Sequence, residues 1–154
     1  ASSISLSVPF FSQKNITWRG DQLGCCTDTI GSKGCALCSK AMIFNYFQPN
    51  YTDPRNLNNC LVSNGCYSSE GGYSNGCLMN WNNICVPFGV NHEKTAYSNF
   101  NTELNSALFI GYPVIARVYW GSINDKEHKH FATVLPCHHI CHMIGPSPCD
   151  ILLS

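Results

Sequence analysis

Eleven cysteines in 154 residues constrain this chain more than any other feature of it. They are Cys25, Cys26, Cys35, Cys38, Cys60, Cys66, Cys77, Cys85, Cys137, Cys141 and Cys149. Thiols at this density survive as disulfides in an oxidising compartment, and in the reducing cytosol they are rare unless they bind metal. The expectation is therefore a secreted, extracellular protein whose fold is stapled by several bridges. The number is odd, so five bridges would leave one cysteine over, either an intermolecular partner or a reactive thiol. Cys25-Cys26 is a vicinal pair, which is strained when bonded to itself, so the two should take different partners. Near neighbours in sequence suggest local bridges at Cys60 with Cys66 and Cys77 with Cys85.

Composition narrows the partners. Charged residues make up 12% of the chain, the formal net charge is zero and the sequence pI is about 7.1. No basic stripe is available to neutralise phosphates and no polybasic segment to hold an anionic membrane, which argues against nucleic-acid and membrane partners. No apolar run reaches the roughly 18 to 20 residues of a membrane span. Ala1-Ser2-Ser3-Ile4 lacks the charged and apolar regions of a signal peptide and reads as a mature N-terminus.

Helical signals come first along the chain and strand signals later. Val8-Pro9-Phe10-Phe11 reads as extended, and the polar stretch through Gln13, Trp18 and Gly24 as loop. From Cys35 to Phe47, Ala36, Leu37, Ala41, Met42, Phe44 and Phe47 recur at helical spacing with no internal Gly or Pro, and Pro49 lies just beyond. Thr52-Asp53-Pro54 predicts an N-cap and first turn for a second helix reaching Ser63, with Asn64-Gly65 as its stop. Cys66 to Gly76 reads as loop, Leu78 to Ile84 as a short helix, and Asn101 to Ile110 as a further helix ended by Gly111. Pro113 to Trp120 and Phe131 to Leu135 are β-branched and aromatic, and the polar residues between them predict an antiparallel hairpin. This order indicates a single α+β domain over residues 1–154.

Cys35 has the setting a nucleophile needs. It opens the strongest predicted helix, where the partial positive charge of the N-terminus favours a thiolate, and it follows Thr29-Ile30-Gly31-Ser32-Lys33-Gly34, a flexible approach in which Gly allows close passage of a substrate. The imidazole that such a thiol requires is supplied most naturally by His130, at the start of the strand His130-Phe131-Ala132-Thr133-Val134.

In order and spacing, these residues resemble the extracellular cysteine peptidases related to the bacteriocin-leader-processing peptidases, within the papain-like clan. The resemblance is carried by Val8-Pro9 with Gln13 and Trp18, by Thr29-Ile30-Gly31 and Gly34-Cys35-Ala36 with Ser39 and Ala41-Met42, and by Pro54 and Leu57. It continues through Gly71-Gly72-Tyr73, Trp81, Gly111-Tyr112-Pro113-Val114-Ile115 and His130-Phe131. It implies a papain-like fold, with a helical half headed by Cys35 packed on an antiparallel β half bearing His130, and a peptide or protein substrate in the cleft between them. By position it implies Cys35 as nucleophile, His130 as general base and acid, and Gln13 as an oxyanion-hole donor beside the Cys35 N–H, with no cofactor or metal. Cys35 then becomes the leftover thiol, and Cys25, Cys26, Cys38, Cys60, Cys66, Cys77, Cys85, Cys137, Cys141 and Cys149 the half-cystines.

One departure from the family pattern concerns the group that orients the histidine. Family members carry Asp or Asn before a Pro on the following strand, whereas this chain reads His142-Met143-Ile144-Gly145-Pro146. Asp150 is the one acidic residue after His130 and becomes the candidate for that role. Three other readings compete. A structural or binding module of an extracellular coat or filament would keep the scaffold, self-associate and do without turnover. Cys35-Ala36-Leu37-Cys38 matches a thioredoxin-like redox motif, but lacks the preceding strand and βαβ setting. Cys137, His138, His139, Cys141 and His142 include enough ligands for zinc, although their spacing is a weak signal and bridges fit an oxidising compartment better. Asn15-Ile16-Thr17 and Asn50-Tyr51-Thr52 are glycosylation acceptor triplets, with Asn50 expected in an exposed loop and Asn15 close to Gln13.

Overall fold

The computed structural model describes residues 8–68, 78–81, 84–90, 106–107, 109–119 and 129–134, with 116–119 and 129–134 described by their backbone. Helix and small antiparallel sheets are combined, an α+β arrangement as expected. The chain divides into two compact units, one of Pro9–Lys94 and one of Ala1–Val8 with Thr95–Ser154.

The first unit holds helices α1 (Ile30–Lys33), α2 (Cys35–Phe47) and α3 (Pro54–Ser63) and a two-stranded ribbon of β1 (Tyr67–Ser68) and β2 (Leu78–Met79). α2 has the expected bounds because nothing within it breaks a helix, and Gln48 and Pro49 follow directly. It is enclosed on nearly every side: Leu37, Cys38, Ala41, Met42 and Phe44 are buried, and so are the polar Ser39, Lys40 and Asn45. Such a helix lacks a simple two-faced pattern. Asn45 offsets its own burial by donating to the carbonyls of Ala41 at 2.8 Å and Thr52 at 2.7 Å and accepting from the Thr52 N–H at 3.2 Å, which ties the α2–α3 turn to the helix.

α3 also has its expected bounds. The Asp53 carboxylate accepts from the Asn56 N–H at 2.8 Å, and Pro54 fills the first turn, where a missing N–H costs nothing. Its far end is a Schellman motif. Gly65 takes φ +64°, the Gly65 N–H donates to Val62 O at 3.1 Å, and the Cys66 N–H donates to Leu61 O at 2.9 Å. That turn sends Cys66 into the core beside Leu57, Leu61, Leu37, Cys38, Phe44 and Met79.

The Schellman geometry overturns the local disulfide expectation. With Cys66 turned inward and Cys60 half-exposed on α3, the two do not bond. Cys60 is bridged to Cys85 across 25 residues, with a Cα–Cα distance of 6.1 Å, so the expected Cys77–Cys85 bridge is replaced as well. The bridge fastens the 84–86 segment to α3, and Cys85 is held there at φ +60°, with its carbonyl accepting from the Tyr51 hydroxyl at 3.3 Å. Cys77 lies outside the described residues, and so does the partner to which Cys26 is disulfide-bonded. Cys25, Cys38 and Cys66 are thiols rather than the expected half-cystines: Cys25 is exposed, and Cys38 and Cys66 are packed into the apolar cluster.

Two element assignments also change. Leu78–Met79 is a strand rather than the start of a helix, since Met79 pairs with Tyr67 and Leu78 with Ser68, and the Asn80 N–H donates to Cys66 O at 2.7 Å. Tyr67–Ser68 correspondingly leaves the expected loop. Thr29 to Gly34, read as a flexible approach, contains α1. A capping box explains it: Thr29 Oγ1 accepts from the Ser32 N–H at 3.2 Å and Ser32 Oγ accepts from the Thr29 N–H at 3.0 Å.

In the second unit, β3 (Val114–Tyr119) and β4 (Lys129–Val134) form the expected antiparallel hairpin, in register from Val114 opposite Val134 to Tyr119 opposite Lys129. The helical residues before it end at Gly111, φ +86°, where the Tyr112 N–H donates to Ala107 O at 3.0 Å in a second Schellman-type turn. Asn101, the expected cap, lies outside the described residues, as do Trp120 and Leu135. No helix among the described residues is long and apolar enough to cross a membrane.

Replacing the bridge by Cys60→Ser with Cys85→Ser should cost about 3.5 kcal/mol, the loop-closure entropy of a bridge over this separation, read by denaturant unfolding. Peptide mapping of the unreduced wild type should return Cys60 joined to Cys85. Lys40 supplies a second measurement. It is 2% exposed, and its ammonium has no hydrogen-bond partner among the described residues, lying 5.5 Å from the Phe44 ring centroid and 5.7 Å from that of Trp81. Burial lowers its pKa from the ordinary 10.5, with the nearby Cys66 thiol pulling the other way. The folded value lies below the unfolded one, so this group's contribution is full above pH 10.5 and is lost as the pH falls through the folded value. Lys40→Met should stabilise the protein by about 1–2 kcal/mol at neutral pH, the cation–ring attraction recovering only part of the desolvation. That advantage should narrow as the pH approaches 10.5.

Candidate active site

The junction of α1 and α2 positions Cys35. Gly34 stands between the two helices with φ −80° and ψ 16°; its N–H donates to Ile30 O at 2.8 Å, and its carbonyl accepts from the Cys38 N–H at 2.9 Å. A Cβ on Gly34 would lie 2.4 Å from Ile30 O, so the tight passage this Gly allows is against the chain's own backbone. Cys35 follows as the first residue of α2, half-buried.

Gln13 reaches the same stretch from the preceding loop. Its side-chain Nε2 donates to Gly31 O at 3.2 Å, one helical turn ahead of Cys35. A primary amide nitrogen carries two protons, so this bond uses one and leaves the second for another acceptor. Gly31 is itself clasped, because its N–H donates to Arg19 O at 2.9 Å and a Cβ there would stand 2.6 Å from the same oxygen. Strand-like bonds extend the clasp, from the Ile30 N–H to Asp21 O at 2.9 Å and from the Leu23 N–H to Asp28 O at 2.8 Å.

The loop carrying Gln13 is held from inside and outside. Trp18 is buried, donates its indole N–H to Ser12 O at 2.9 Å and meets the Phe11 ring edge-to-face at 5.8 Å. From α3, Arg55 pairs with the Asp21 carboxylate through Nε at 2.6 Å and Nη2 at 3.1 Å and also donates to Thr17 O. Asn58 is buried; its Oδ1 accepts from the Gly24 N–H at 2.9 Å and the Tyr67 hydroxyl at 2.8 Å, while its Nδ2 donates to Gln22 O at 2.9 Å. An open cleft of about 420 Å³ runs between this loop and α3, but its Asp21–Arg55 pair and Asn58 are already spent on the loop. The sequence reading missed Arg55 and Asn58. Asn58 had a legible signal, a polar residue inside the apolar stripe of Pro54, Leu57 and Leu61.

Behind Cys35 the surroundings are dry. Burial, and after it the neighbouring Cys35, pushes the Cys38 thiol up from 9.0 to about 12. The Tyr67 hydroxyl is pushed up by burial first and then by Cys25, Cys66 and Cys38. Cys38 and Tyr67 therefore stay protonated near neutrality.

Gln13 and Cys35 belong to the first unit and His130 to the second, where it stands in β4 opposite Val118. Asp150 lies outside the described residues, together with the zinc alternative at 137–142 and with Cys137, Cys141 and Cys149. Among the described residues no cluster of three or more His, Cys, Asp or Glu side chains is placed to hold a metal. Asn50 is exposed just after α2 at φ +58°, and Asn15 is exposed with its side-chain oxygen accepting from the Thr17 N–H at 2.9 Å. No protein-family model, curated protein or solved structure matches the chain.

Gly31→Ala tests the clasp. The added methyl must displace Arg19 or α1, so the variant should lose roughly 1–3 kcal/mol in denaturant unfolding, the usual range for forced overpacking. An unchanged midpoint would mean that the clasp is slack.

Proposed function

We propose that this chain is a secreted cysteine peptidase domain of papain-like architecture, in which Cys35 attacks the peptide carbonyl, His130 handles the proton and Gln13 helps to stabilise the oxyanion. The observation that carries the reading is the Gln13 side chain fastened to Gly31 O one turn ahead of Cys35. The bond that closes the loop on α1 thereby holds an amide donor from 22 positions away in sequence one turn ahead of Cys35, on the approach to the nucleophile, where an oxyanion donor is needed.

The chemistry follows from these groups. His130 takes the Cys35 proton, and the thiolate, favoured at a helix N-terminus, adds to the carbonyl. Charge develops on the carbonyl oxygen, where the second Gln13 amide proton and the Cys35 N–H would meet it. Collapse expels the amine, protonated by His130, and water then hydrolyses the thioester by the same route in reverse. Asp150 is the proposed orienting group for His130, in place of the Asp or Asn that the resembling family carries where this chain has Gly145. The second reading, an inactive peptidase-like module of an extracellular assembly, draws on that same Gly145.

Turnover of a fluorogenic peptide library in reducing buffer is the test. Cys35→Ala and His130→Ala should abolish it with the fold intact, and Gln13→Ala should lower kcat about 100- to 1,000-fold. A wild type that neither turns over any peptide nor takes a peptidyl epoxide label on Cys35 would overturn the peptidase reading in favour of the inactive module.

A further inference from the structure

Cys35 and Cys38 stand three residues apart in the opening turn of α2, both as thiols. Side chains at that spacing share one helix face, with Cβ atoms about 5–6 Å apart. A disulfide brings its Cβ atoms to roughly 3.5–4.5 Å, so closure asks for a shift on the order of an ångström in the first turn. This turn can supply it. No side-chain hydrogen bond caps α2, and the residue ahead of it is Gly34.

The two thiols differ in a way that orders their reactions. Cys35 is half-buried, while Cys38 is 3% exposed and sits in the core with Leu37 and Ala41. A small reagent reaches the outer sulfur first and the inner one only by way of it. Their proximity is electrostatic as well as geometric, since the Cys35 charge adds to burial in holding the Cys38 proton.

We propose that Cys35 and Cys38 are a reversible dithiol–disulfide pair, closed by low-molecular-weight disulfides and opened by thiols, which masks and unmasks Cys35. The chemistry of the pair stands by itself, and its meaning as an off-switch rests on the peptidase reading. In the first step the Cys35 thiolate attacks one sulfur of a disulfide RSSR, forming Cys35–S–SR and releasing RS⁻, which takes up the Cys35 proton. Cys35 then carries no charge, so the part of the Cys38 shift due to it vanishes and the inner thiol ionises more readily. The Cys38 thiolate attacks Cys35 Sγ and expels the second RS⁻, which leaves as RSH. The protein loses two protons and two electrons, and RSSR becomes two RSH. This differs from a thioredoxin-type oxidoreductase, which acts on other proteins from a βαβ setting.

Tryptic cleavage isolates the pair, because Lys33 and Lys40 bracket Gly34–Lys40, a peptide with these two cysteines alone. The full chain is equilibrated in reduced and oxidised glutathione at a series of ratios; peptide turnover is read on one aliquot, and a second is quenched with N-ethylmaleimide, digested and weighed. In reducing mixtures the peptide should carry two maleimides. In oxidising mixtures it should carry none and be lighter by two hydrogens, returning to the first form with dithiothreitol. Cys38→Ser should stop at the Cys35–glutathione mixed disulfide. Two maleimides at every ratio, a persistent mixed disulfide in the wild type, or a bridge from Cys38 to Cys25 or Cys66 would overturn the pair. Turnover lost in step with closure supports the switch, and turnover that survives closure overturns it. Reversible closure with no turnover at any ratio supports the pair and overturns the peptidase reading instead.

Discussion

Gly31 is the point on which the first unit turns. Its N–H is held by Arg19 O and its carbonyl by the Gln13 side chain, so one residue of α1 fixes both arms of the loop before it. No larger residue fits, because the Arg19 carbonyl occupies the space a Cβ needs. The consequences run in both directions along the chain. Upstream, the loop cannot leave without exposing Trp18; downstream, α1 cannot rotate without carrying Gly34 and the start of α2 with it. The placement of Gln13 ahead of Cys35 is thus set at Gly31, by one backbone hydrogen bond and one from the Gln13 side chain.

α3 serves this arrangement from the other side. Arg55 and Asn58 direct their hydrogen bonds at the 17–24 loop, and Asn58 collects the Gly24 N–H and the Tyr67 hydroxyl on one oxygen. A buried amide engaged on every side specifies one loop conformation, because any other leaves polar groups unpaired in a low-dielectric interior. Asn45 does the same for the turn between α2 and α3. Lys40 is the exception, buried against two rings with no hydrogen-bond partner for its ammonium among the described residues, and it marks where the core carries a stability cost.

The electrostatics behind Cys35 favour a division of labour. Cys38 and Tyr67 hold their protons through burial, while Cys35 at the start of α2 is half-buried. A half-buried thiol beside a buried one is compatible with both the proposed nucleophilic chemistry at Cys35 and its proposed protection by Cys38.

Local rules determined much of this protein before any contact was known. The bounds of α2 and α3 follow from uninterrupted helix formers, an Asp-Pro start and an Asn-Gly stop, and the β3–β4 hairpin from two β-branched runs, since each is decided by interactions within a few residues. The same rules missed α1, whose Thr29–Ser32 capping box lay in a stretch that two glycines made look flexible. The rest was decided by tertiary structure. Which cysteines bond depends on where a Schellman turn sends Cys66 and where the chain returns at residue 85, a long-range matter on which nearness in sequence misleads. Leu78–Met79 becomes a strand because Tyr67–Ser68 is there to pair with it. The attachment of Gln13 to Gly31 likewise belongs to the fold, since a hydrogen bond across 18 residues exists only once the loop has closed around Trp18.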